Sequence, residues 1–259
     1  MTWIIGHLLA VCIGISLGLI GGGGSILAVP ILIYVIGLSP KTAISMSLVV
    51  VGVVSLLGTI PHWLQQNVNL KIAIIFTPAA MIGAYLGARL SSLPFITETF
   101  QLICFGAVML VASLLMIRNS SRNQDEQKQI ATSQDQNQPP QRHWFAIPLE
   151  GLSVGGLTGF VGVGGGFAII PALVLLGGIP MKEAVGTSLL IIAFKSVTGF
   201  LGYLNQVEID WGLMISFTLA AGGGAFVGAY LTRWIEAKKL QKGFGYFVLV
   251  VAVFVLIRR

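Results

Sequence analysis

The chain has 259 residues, of which 55% are hydrophobic and 9% are charged, and its formal net charge is +6. A soluble domain carries roughly 25% charged residues, and one of this length has no core large enough to bury so much apolar surface. The composition therefore predicts an integral membrane protein, and it makes the positive charge a determinant of membrane orientation, with no nucleic-acid partner implied.

The first predicted element is an apolar stretch at 3–37 with the glycine cluster Gly21–Gly24 in its middle. About 20 apolar residues are enough to cross a bilayer, so this stretch is too long for one crossing. We expect a helix, a glycine break and a second, shorter helix. The stretch has no Ala-x-Ala cleavage site and further apolar segments follow it, so we expect it to remain in the mature protein.

Three apolar runs of spanning length come next, and a polar segment follows them. The runs lie near 41–62, 70–90 and 98–117. Residues 119–143 are rich in Gln, Ser, Asn and Asp, a composition that cannot bury a core, so we expect a disordered linker. The linker separates an N-terminal membrane repeat, 1–118, from a C-terminal membrane repeat, 144–259.

The second half of the chain has the same order of elements as the first. Its glycine-broken stretch occupies 145–179, and its runs of spanning length lie near 184–204, 212–232 and 243–257. The last run is short, and we expect the helix to extend beyond it. Both halves are thus predicted to contain a broken helical hairpin and three transmembrane helices.

The two halves also match in sequence. The stretch from Gly18 to Pro30 is matched by the stretch from Gly159 to Pro171, which begins 141 residues later. Further on, Gly83-Ala84-Tyr85-Leu86 recurs as Gly228-Ala229-Tyr230-Leu231. Glycine-interrupted hydrophobic segments in corresponding places of two halves indicate the binding site of a transporter.

The distribution of Lys and Arg predicts how the halves are oriented. If each broken segment returns to the side on which it began, the halves are inverted, with ten cationic residues on the side of the linker and four on the other. If each broken segment crosses once, the halves are parallel and the count is seven against seven. The positive-inside rule favours two inverted repeats, with a cytoplasmic linker and both termini outside.

Aromatic and titratable side chains support these boundaries. The five tryptophans all lie at predicted segment ends, as an aromatic belt requires: Trp3, Trp63, Trp144, Trp211 and Trp234. We interpret Cys12 and Cys104 as small apolar packing residues, because they do not occupy corresponding positions and give no disulfide framework. His7 is interpreted as a packing residue, while His62 and His143 are expected to be solvated.

At the glycine clusters the chain resembles the sulfite exporter TauE/SafE family of bacterial membrane permeases. The features that carry the resemblance are the cluster followed by an apolar run to Pro30 or Pro171, and Gly186-Thr187-Ser188-Leu189 at the head of the next helix. The resemblance implies a multi-pass protein of the bacterial cytoplasmic membrane that exports small sulfur-containing oxyanions, such as sulfite or organosulfonates. Two departures, Lys195 and the sequence Ser45-Met46-Ser47 in the first copy, bear on the identity of the substrate.

The glycine clusters are the first candidate site. Backbone N–H groups that open the half-helix after a glycine break can hold an anion, assisted by the helix dipole. The candidate residues are Gly22, Gly23, Gly24 and Ser25 in the first copy and Gly164, Gly165 and Gly166 in the second. The alternative is close helix packing through small residues, which is our interpretation of the third cluster, Gly222–Gly224 with Gly228.

Lys195 is the second candidate, because it is the one charged residue deep within a predicted span. It lies roughly 15 Å from either end of that span at about 1.5 Å per residue, too far for its side chain to reach water. A charge there costs at least about 2.5–3.5 kcal/mol, and no acidic residue lies at comparable depth. We expect the substrate anion to supply the counter-charge; the alternative is a neutral Lys bonded to backbone carbonyls.

Helix geometry adds hydroxyl groups to the candidate site. Ser188 lies on the same face of the helix as Lys195, together with Gly199 and Gly202. The hydroxyls of Ser188, Thr187 and Ser47 are candidate substrate ligands. For each of them, a hydrogen bond to the backbone of its own helix is the alternative.

The sequence thus predicts a permease that exports a small anion, with no cofactor, no metal and no enzymatic activity. A monovalent anion that leaves a negative cytoplasm gains about 2.3 kcal/mol per 100 mV, so no coupling ion is required. An anion channel stays open as an alternative, and an intramembrane enzyme or metal-dependent sensor is a more distant one. Gly14–Gly18 and Gly151–Gly155 match Gly-x-Ser-x-Gly, but no His and Asp accompany them at depth, so we reject a serine hydrolase.

Overall fold

A computed structural model of the chain describes residues 2–91, 103, 106–118, 146–161, 166–201 and 210–257. Within these ranges every regular element is a helix. The first half contains α1 Thr2–Ile20, α2 Gly23–Tyr34, α3 Pro40–Leu64, α4 Leu70–Ser91 and α5 Gly106–Arg118. The second half contains α6 Ala146–Val161, α7 Gly166–Pro171 with a π-helical turn at Ala172–Leu176, α8 Met181–Leu201, α9 Trp211–Leu231 and α10 Ala237–Ile257. The predicted linker, Cys104, Gly164 and Gly165 lie outside the described residues.

The described helices confirm the all-α prediction, and several of them are compatible with a membrane protein. Four of the described helices are long and apolar enough to cross a membrane, over Trp3–Ile20, Thr42–Leu64, Leu70–Gly87 and Trp211–Leu231. Large apolar side chains point outward from them, among them Ile74, Leu219 and Val227. An outer surface of this kind is suited to lipid. The predicted extension of the last helix is confirmed, since α10 begins at Ala237.

The first glycine break folds as a hairpin. The helix α1 ends at Ile20, and Gly21 takes a left-handed φ of +78°, a conformation that glycine adopts without a Cβ penalty. The helix α2 then returns along α1. The contact between the two helices shows this, since a Cβ atom at Gly24 would lie 2.5 Å from Leu17 Cγ. At the other end of the hairpin Gly6 lies against Ile36. The predicted broken hairpin is therefore present in the first half.

The most extensive helix contacts join the two halves of the chain. The helix α1 lies along α9, and α4 lies along α6. In both pairs glycines bring one backbone against the carbonyl groups of the other. The contacts in the first pair are Gly14 with Ala221 O, Gly18 with Ala225 O, Gly224 with Val11 O and Gly228 with Ile15 O. The contacts in the second pair are Gly83 with Leu152 O, Gly87 with Gly156 O, Gly151 with Phe76 O and Gly155 with Ala80 O.

These contacts correct the alignment of the two halves. Gly83 lies against Leu152 just as Gly224, 141 residues later, lies against Val11, the residue that corresponds to Leu152. The structural counterpart of Gly83 is therefore Gly224, and Gly228 corresponds to Gly87. The predicted match of Gly83 with Gly228 is wrong by one helical turn, because the Gly-Ala-Tyr-Leu tetrapeptides occur at successive turns of equivalent helices.

The same interval relates the first turns of α4 and α9. The side chain of Asn69 accepts a hydrogen bond from Ile72 N at 3.1 Å, which caps α4. The side chain of Asp210 accepts one from Leu213 N at 3.0 Å, which caps α9. Both helices thus begin with the same N-cap geometry at corresponding residues.

The helices α3 and α8 form the central pair and run antiparallel. A Cβ atom at Gly52 would lie 2.9 Å from Ser196 Cβ, whereas one at Gly186 would lie 3.0 Å from His62 Cβ. The partner number on α8 falls as the number on α3 rises. By contrast, α1 and α9 run parallel, as do α4 and α6, since the numbers in their contacts rise together.

The described tryptophans lie at helix ends with exposed side chains. The exposed fraction is 57% for Trp3, 50% for Trp63, 56% for Trp211 and 78% for Trp234. Their positions agree with the predicted aromatic belt; Trp144 lies outside the described residues. Cys12 is exposed on α1, so its predicted role as a small apolar packing residue is not confirmed.

Candidate functional site

The starts of the two half-helices meet in the buried interior of the protein. Ser25, in the first turn of α2, is buried, and its Oγ would lie 3.0 Å from a Cβ atom on Gly166, the first residue of α7. Ile192 of α8 closes the same contact, 2.8 Å from that Cβ position. The structure therefore brings together Ser25 and Gly166, two of the predicted site residues that come from different halves.

The first glycine break also lies against the head of α8. A Cβ atom at Gly21 would lie 2.6 Å from Ser188 Oγ and 2.9 Å from Ile170 Cδ1. Gly22 is the N-cap of α2 and offers no side chain to the N–H groups of that helix, and Gly23 and Gly24 form its first two residues. Small residues are thus required here because α7 and α8 leave no room for a side chain at Gly21.

Three of the predicted hydroxyl ligands donate to their own helix. Ser25 Oγ donates to Gly22 O at 2.7 Å, Ser47 Oγ to Ile44 O at 2.7 Å, and Ser188 Oγ to Val185 O at 2.8 Å. For Ser47 and Ser188 the backbone alternative is thus the arrangement that the structure adopts. An anion accepts hydrogen bonds, so these hydroxyls would have to rotate away from their carbonyls in order to serve it.

Thr187 is placed differently. It is fully buried, and its Oγ1 accepts a hydrogen bond from Asn69 N at 2.9 Å. The side chain of Asn69 donates to Glu183 Oε1 at 2.7 Å, so the turn before α4 is bound to the first turns of α8 twice. Because its oxygen is used as an acceptor, the hydroxyl of Thr187 keeps its proton for another partner.

Lys195 reaches from α8 to α6. Its Nζ donates to Thr158 Oγ1 at 2.6 Å, and Thr158 Oγ1 donates to Gly155 O at 3.0 Å. Thr158 lies in the last turn of α6, where the helix dipole places partial negative charge. A hydroxyl therefore stands between the ammonium group and the backbone. The corresponding residues of the first half are Leu17 and Val54, which are apolar and fully buried.

Lys195 and Ser188 face different partners. Ser188 lies against the first glycine break, whereas Lys195 lies against the end of α6. Their shared helix face thus covers two neighbouring regions, and Ile192, between them in sequence, lies against Gly166. Gly202 of the predicted face lies outside the described residues.

The prediction that His62 is solvated is wrong. It is fully buried, and its Nε2 lies 2.9 Å from the carbonyl oxygen of Gly18, near the end of α1. Its position beside Trp63 at a segment end led to the expectation of solvation, but Trp63 points outward while His62 points toward α1 and α8. His7 is partly buried and connects α1 with α9 through Ser216 Oγ at 3.0 Å, which agrees with a packing role.

Three grooves on the surface of the described residues have apolar walls. They lie between α3 and α8, between α5 and the α6–α7 segment, and between α4 and α6, with volumes of about 280, 390 and 620 Å³. Lys195 lines none of these three grooves. Their walls are suited to lipid chains rather than to an anion. Among the described residues, no three His, Cys, Asp or Glu side chains come close enough to hold a metal ion.

Comparison with known proteins shows the family to which the chain belongs. The model of the sulfite exporter TauE/SafE family matches residues 7–255. The chain belongs to the TauE/SafE family.

Relatives of this TauE/SafE protein carry names of the same kind. It is 33% identical over 249 residues to a probable membrane transporter protein of Xylella fastidiosa strain 9a5c, covering 95% of this chain and 92% of the relative. It is 30% identical over 258 residues to the probable membrane transporter protein YunE of Bacillus subtilis, covering 93% and 92%. No solved structure gives a significant match. The predicted family is confirmed, and membrane transport is supported by these names.

Two sequence motifs of the TauE/SafE protein now have a structural explanation. Gly14–Gly18 and Gly151–Gly155, which match Gly-x-Ser-x-Gly, are the small-residue contacts of α1 with α9 and of α6 with α4. In Gly186-Thr187-Ser188, Gly186 leaves room for Asn67 O and His62, Thr187 binds Asn69, and Ser188 lies against Gly21. The motif therefore fastens the head of α8 to the α3–α4 turn and to the first break.

Sequence analysis missed Thr158 and His62 as members of the site. Thr158 could have been found as a hydroxyl in the last turn before the second glycine cluster. His62 carried no comparable signal, because an interfacial and a buried histidine look alike beside an aromatic residue.

Proposed function

We propose that this TauE/SafE protein is a permease that exports a small sulfur oxyanion, such as sulfite or an organosulfonate, across the bacterial cytoplasmic membrane. The family and the names of its relatives support membrane transport. Lys195 and the N–H groups at the glycine breaks support an anion as the substrate. The membrane potential favours outward movement of an anion by about 2.3 kcal/mol per charge and 100 mV.

The observation that carries the proposal is the hydrogen bond of Lys195 to Thr158. A lysine inside an apolar helix needs a counter-charge or strong hydrogen bonds, and the partner in the structure is a neutral hydroxyl. The negative end of α6 offsets part of the charge. The remainder attracts an anion, and the substrate then completes the coordination of Nζ, which has three donors.

The glycine breaks supply the second part of the proposed site. Gly22, Gly23, Gly24 and Ser25 open α2, and Gly164, Gly165 and Gly166 precede or open α7. N–H groups at the start of a helix carry partial positive charge and lack intrahelical acceptors. The contact of Ser25 with Gly166 supports a site shared by both halves, with Ile192 linking it to the helix of Lys195. Thr187, Ser188 and Ser47 are proposed as further ligands from α8 and α3.

The proposal includes two inverted repeats in the membrane, joined by a cytoplasmic linker. The antiparallel register of α3 and α8 supports it, because corresponding helices point in opposite directions when the repeats are inverted. The common interval of 141 residues in the α1–α9 and α4–α6 contacts supports the same relation. Opposed half-helices would then approach the site from the two sides of the membrane.

A flux screen in proteoliposomes tests the function. Vesicles containing purified protein are loaded in turn with sulfite, thiosulfate, sulfoacetate, sulfate or chloride, and efflux is compared with that from protein-free vesicles. The proposal expects saturable efflux of at least one of the first three and slower efflux of chloride. Efflux of chloride alone, or no efflux above that of the empty vesicles, contradicts it. Counterflow of labelled substrate indicates a carrier, and its absence during efflux indicates the channel alternative.

A further inference from the structure

His62 forms a hydrogen bond at the end of the first broken helix. Its Nε2 is 2.9 Å from Gly18 O, and because a carbonyl oxygen only accepts, Nε2 carries the hydrogen. In the neutral ring Nδ1 is then an acceptor, and this buried atom has no hydrogen-bond partner among the described residues. The imidazole is therefore oriented by Gly18 alone.

The carbonyl of Gly18 needs such a donor. The helix α1 ends at Ile20, and the last four carbonyl groups of a helix generally lack partners within it. Leu17 O is satisfied by Gly21 N at 2.7 Å. An unsatisfied carbonyl away from water is costly, so the bond from His62 fixes the end of α1, three residues before the left-handed Gly21.

The other side of His62 is closed by α8 and by the turn after α3. A Cβ atom at Gly186 would lie 3.0 Å from His62 Cβ, and Gly186 comes closer still to Asn67 O. Asn67 N donates to His62 O at 2.9 Å, which holds the backbone of the last turn of α3. The imidazole therefore cannot move away from Gly18 unless α1 or this turn moves.

We infer that His62 is a positioning residue that holds the first glycine break in place by its hydrogen bond to Gly18. The inference rests on the proposed function, in which Gly22–Gly24 and Ser25 bind the substrate. Movement of the end of α1 away from α3 requires this bond to be broken. The residue at the corresponding position of the second half is Tyr203. We call the bond of His62 to Gly18 the histidine latch, and we infer it for the first break alone.

A cysteine reporter at Ser25 tests the latch without any substrate. In a background with Cys12 and Cys104 replaced by Ala, Ser25→Cys is treated with a small thiol reagent in proteoliposomes, and the rate of modification is measured. His62→Leu removes the donor, and we expect modification to become roughly two- to tenfold faster, the range that one neutral hydrogen bond produces. His62→Gln places an amide N–H near the position of Nε2 and is expected to restore the slow rate.

His7→Leu is the matched control. Like His62, His7 connects α1 with another helix, but its partner is Ser216 of α9 and it lies near the start of α1, at the opposite end from the break. The control is expected to leave the rate at residue 25 unchanged. If His62→Leu does not fold, His62→Asn, whose amide is too short to reach Gly18, is expected to show the same acceleration.

Equal rates in the parent protein and in the folded Leu or Asn variants overturn the latch. An acceleration that His62→Gln does not reverse overturns it as well, since the effect then comes from side-chain volume. The reporter needs no transport, so a negative flux screen refutes the proposed function while the accessibility result still decides the role of His62.

Discussion

Gly83 and Gly224 make the same contact in the two halves of the chain: one meets the carbonyl of Leu152 on α6, and the other meets that of Val11 on α1. Each is followed four residues later by a second glycine, Gly87 or Gly228, with the same kind of contact. Helix association in a bilayer depends on close packing, since lipid is as apolar as the helix surface. Two equivalent helix crossings therefore join the halves.

The first prediction concerns these crossings. A Cβ atom at Gly224 would collide with Val11 O, whereas one at the adjacent Gly223 would meet nothing within 4 Å. Gly224→Ala is expected to lose about 1–3 kcal/mol of stability through overpacking, and Gly223→Ala almost none. Thermal unfolding in detergent checks this, with a fall of roughly 2–4 °C expected for each kcal/mol. Equal melting temperatures for the two variants would show that the crossing can relax.

The sequence predicted the helices and the family, whereas the hydrogen-bond partners of polar side chains did not follow from it. Helix positions follow from apolar run length, which the bilayer imposes directly, so α3 and α4 begin and end within a few residues of prediction. The hairpin was predicted because the stretch from 3 to 37 is too long for one crossing. The alignment of Gly83 with Gly228 failed because glycine and alanine recur at successive turns of both helices, and only the contacts define the register.

The partners of polar side chains could not be predicted from spacing. Ser188 and Lys195 share a helix face, yet the surrounding helices give them different neighbours, Gly21 for one and Thr158 for the other. Helix periodicity gives the direction of a side chain but not the element that it meets. The burial of His62 depends on the close approach of α1, α3 and α8, which no local pattern encodes.

The second prediction tests the orientation of the repeats. In a cysteine-free background, Ser133→Cys in the linker is expected to be protected from an impermeant thiol reagent in intact cells, and a cysteine added after Arg259 is expected to be labelled. The reason is the charge count, ten cationic residues on the side of the linker against four. Labelling after permeabilisation is the control for reactivity. The inverted arrangement is wrong if both sites show the same accessibility in intact cells.

The third prediction concerns the adjacent residues Thr187 and Ser188. The hydrogen bond from Asn69 N to Thr187 Oγ1 links the α3–α4 turn to α8. Thr187→Val removes the acceptor of this bond and leaves the N–H of Asn69 without that partner. A loss of about 1–3 kcal/mol in stability is expected, because this donor is partly buried and a donor left unsatisfied away from water carries a desolvation cost. Ser188→Ala removes only a bond within its own helix, so it is expected to cost less. Thermal unfolding of the two variants gives the comparison, and a larger effect of Ser188→Ala would contradict it.

The last prediction separates the role of Lys195 in substrate binding from a role in folding. Lys195→Met keeps a long apolar side chain and removes the charge, while Thr158 retains its bond to Gly155 O. Its stability is expected to be unchanged or higher, because the variant removes a charge that has no ionic partner among the described residues from the bilayer interior. Its flux of the transported anion is expected to fall about 10- to 100-fold, the range for the loss of a charged hydrogen bond.

Two further variants complete this test. Lys195→Arg keeps the charge on a wider planar group and is expected to retain partial flux with a changed order of preference among the anions. Thr158→Val keeps the charge but removes its hydroxyl partner, so a smaller loss of flux than in Lys195→Met is expected. Normal flux in correctly folded Lys195→Met would exclude the lysine as the counter-charge, because methionine carries no charge that could take its place. The N–H groups at the starts of α2 and α7 would be left to bind the anion.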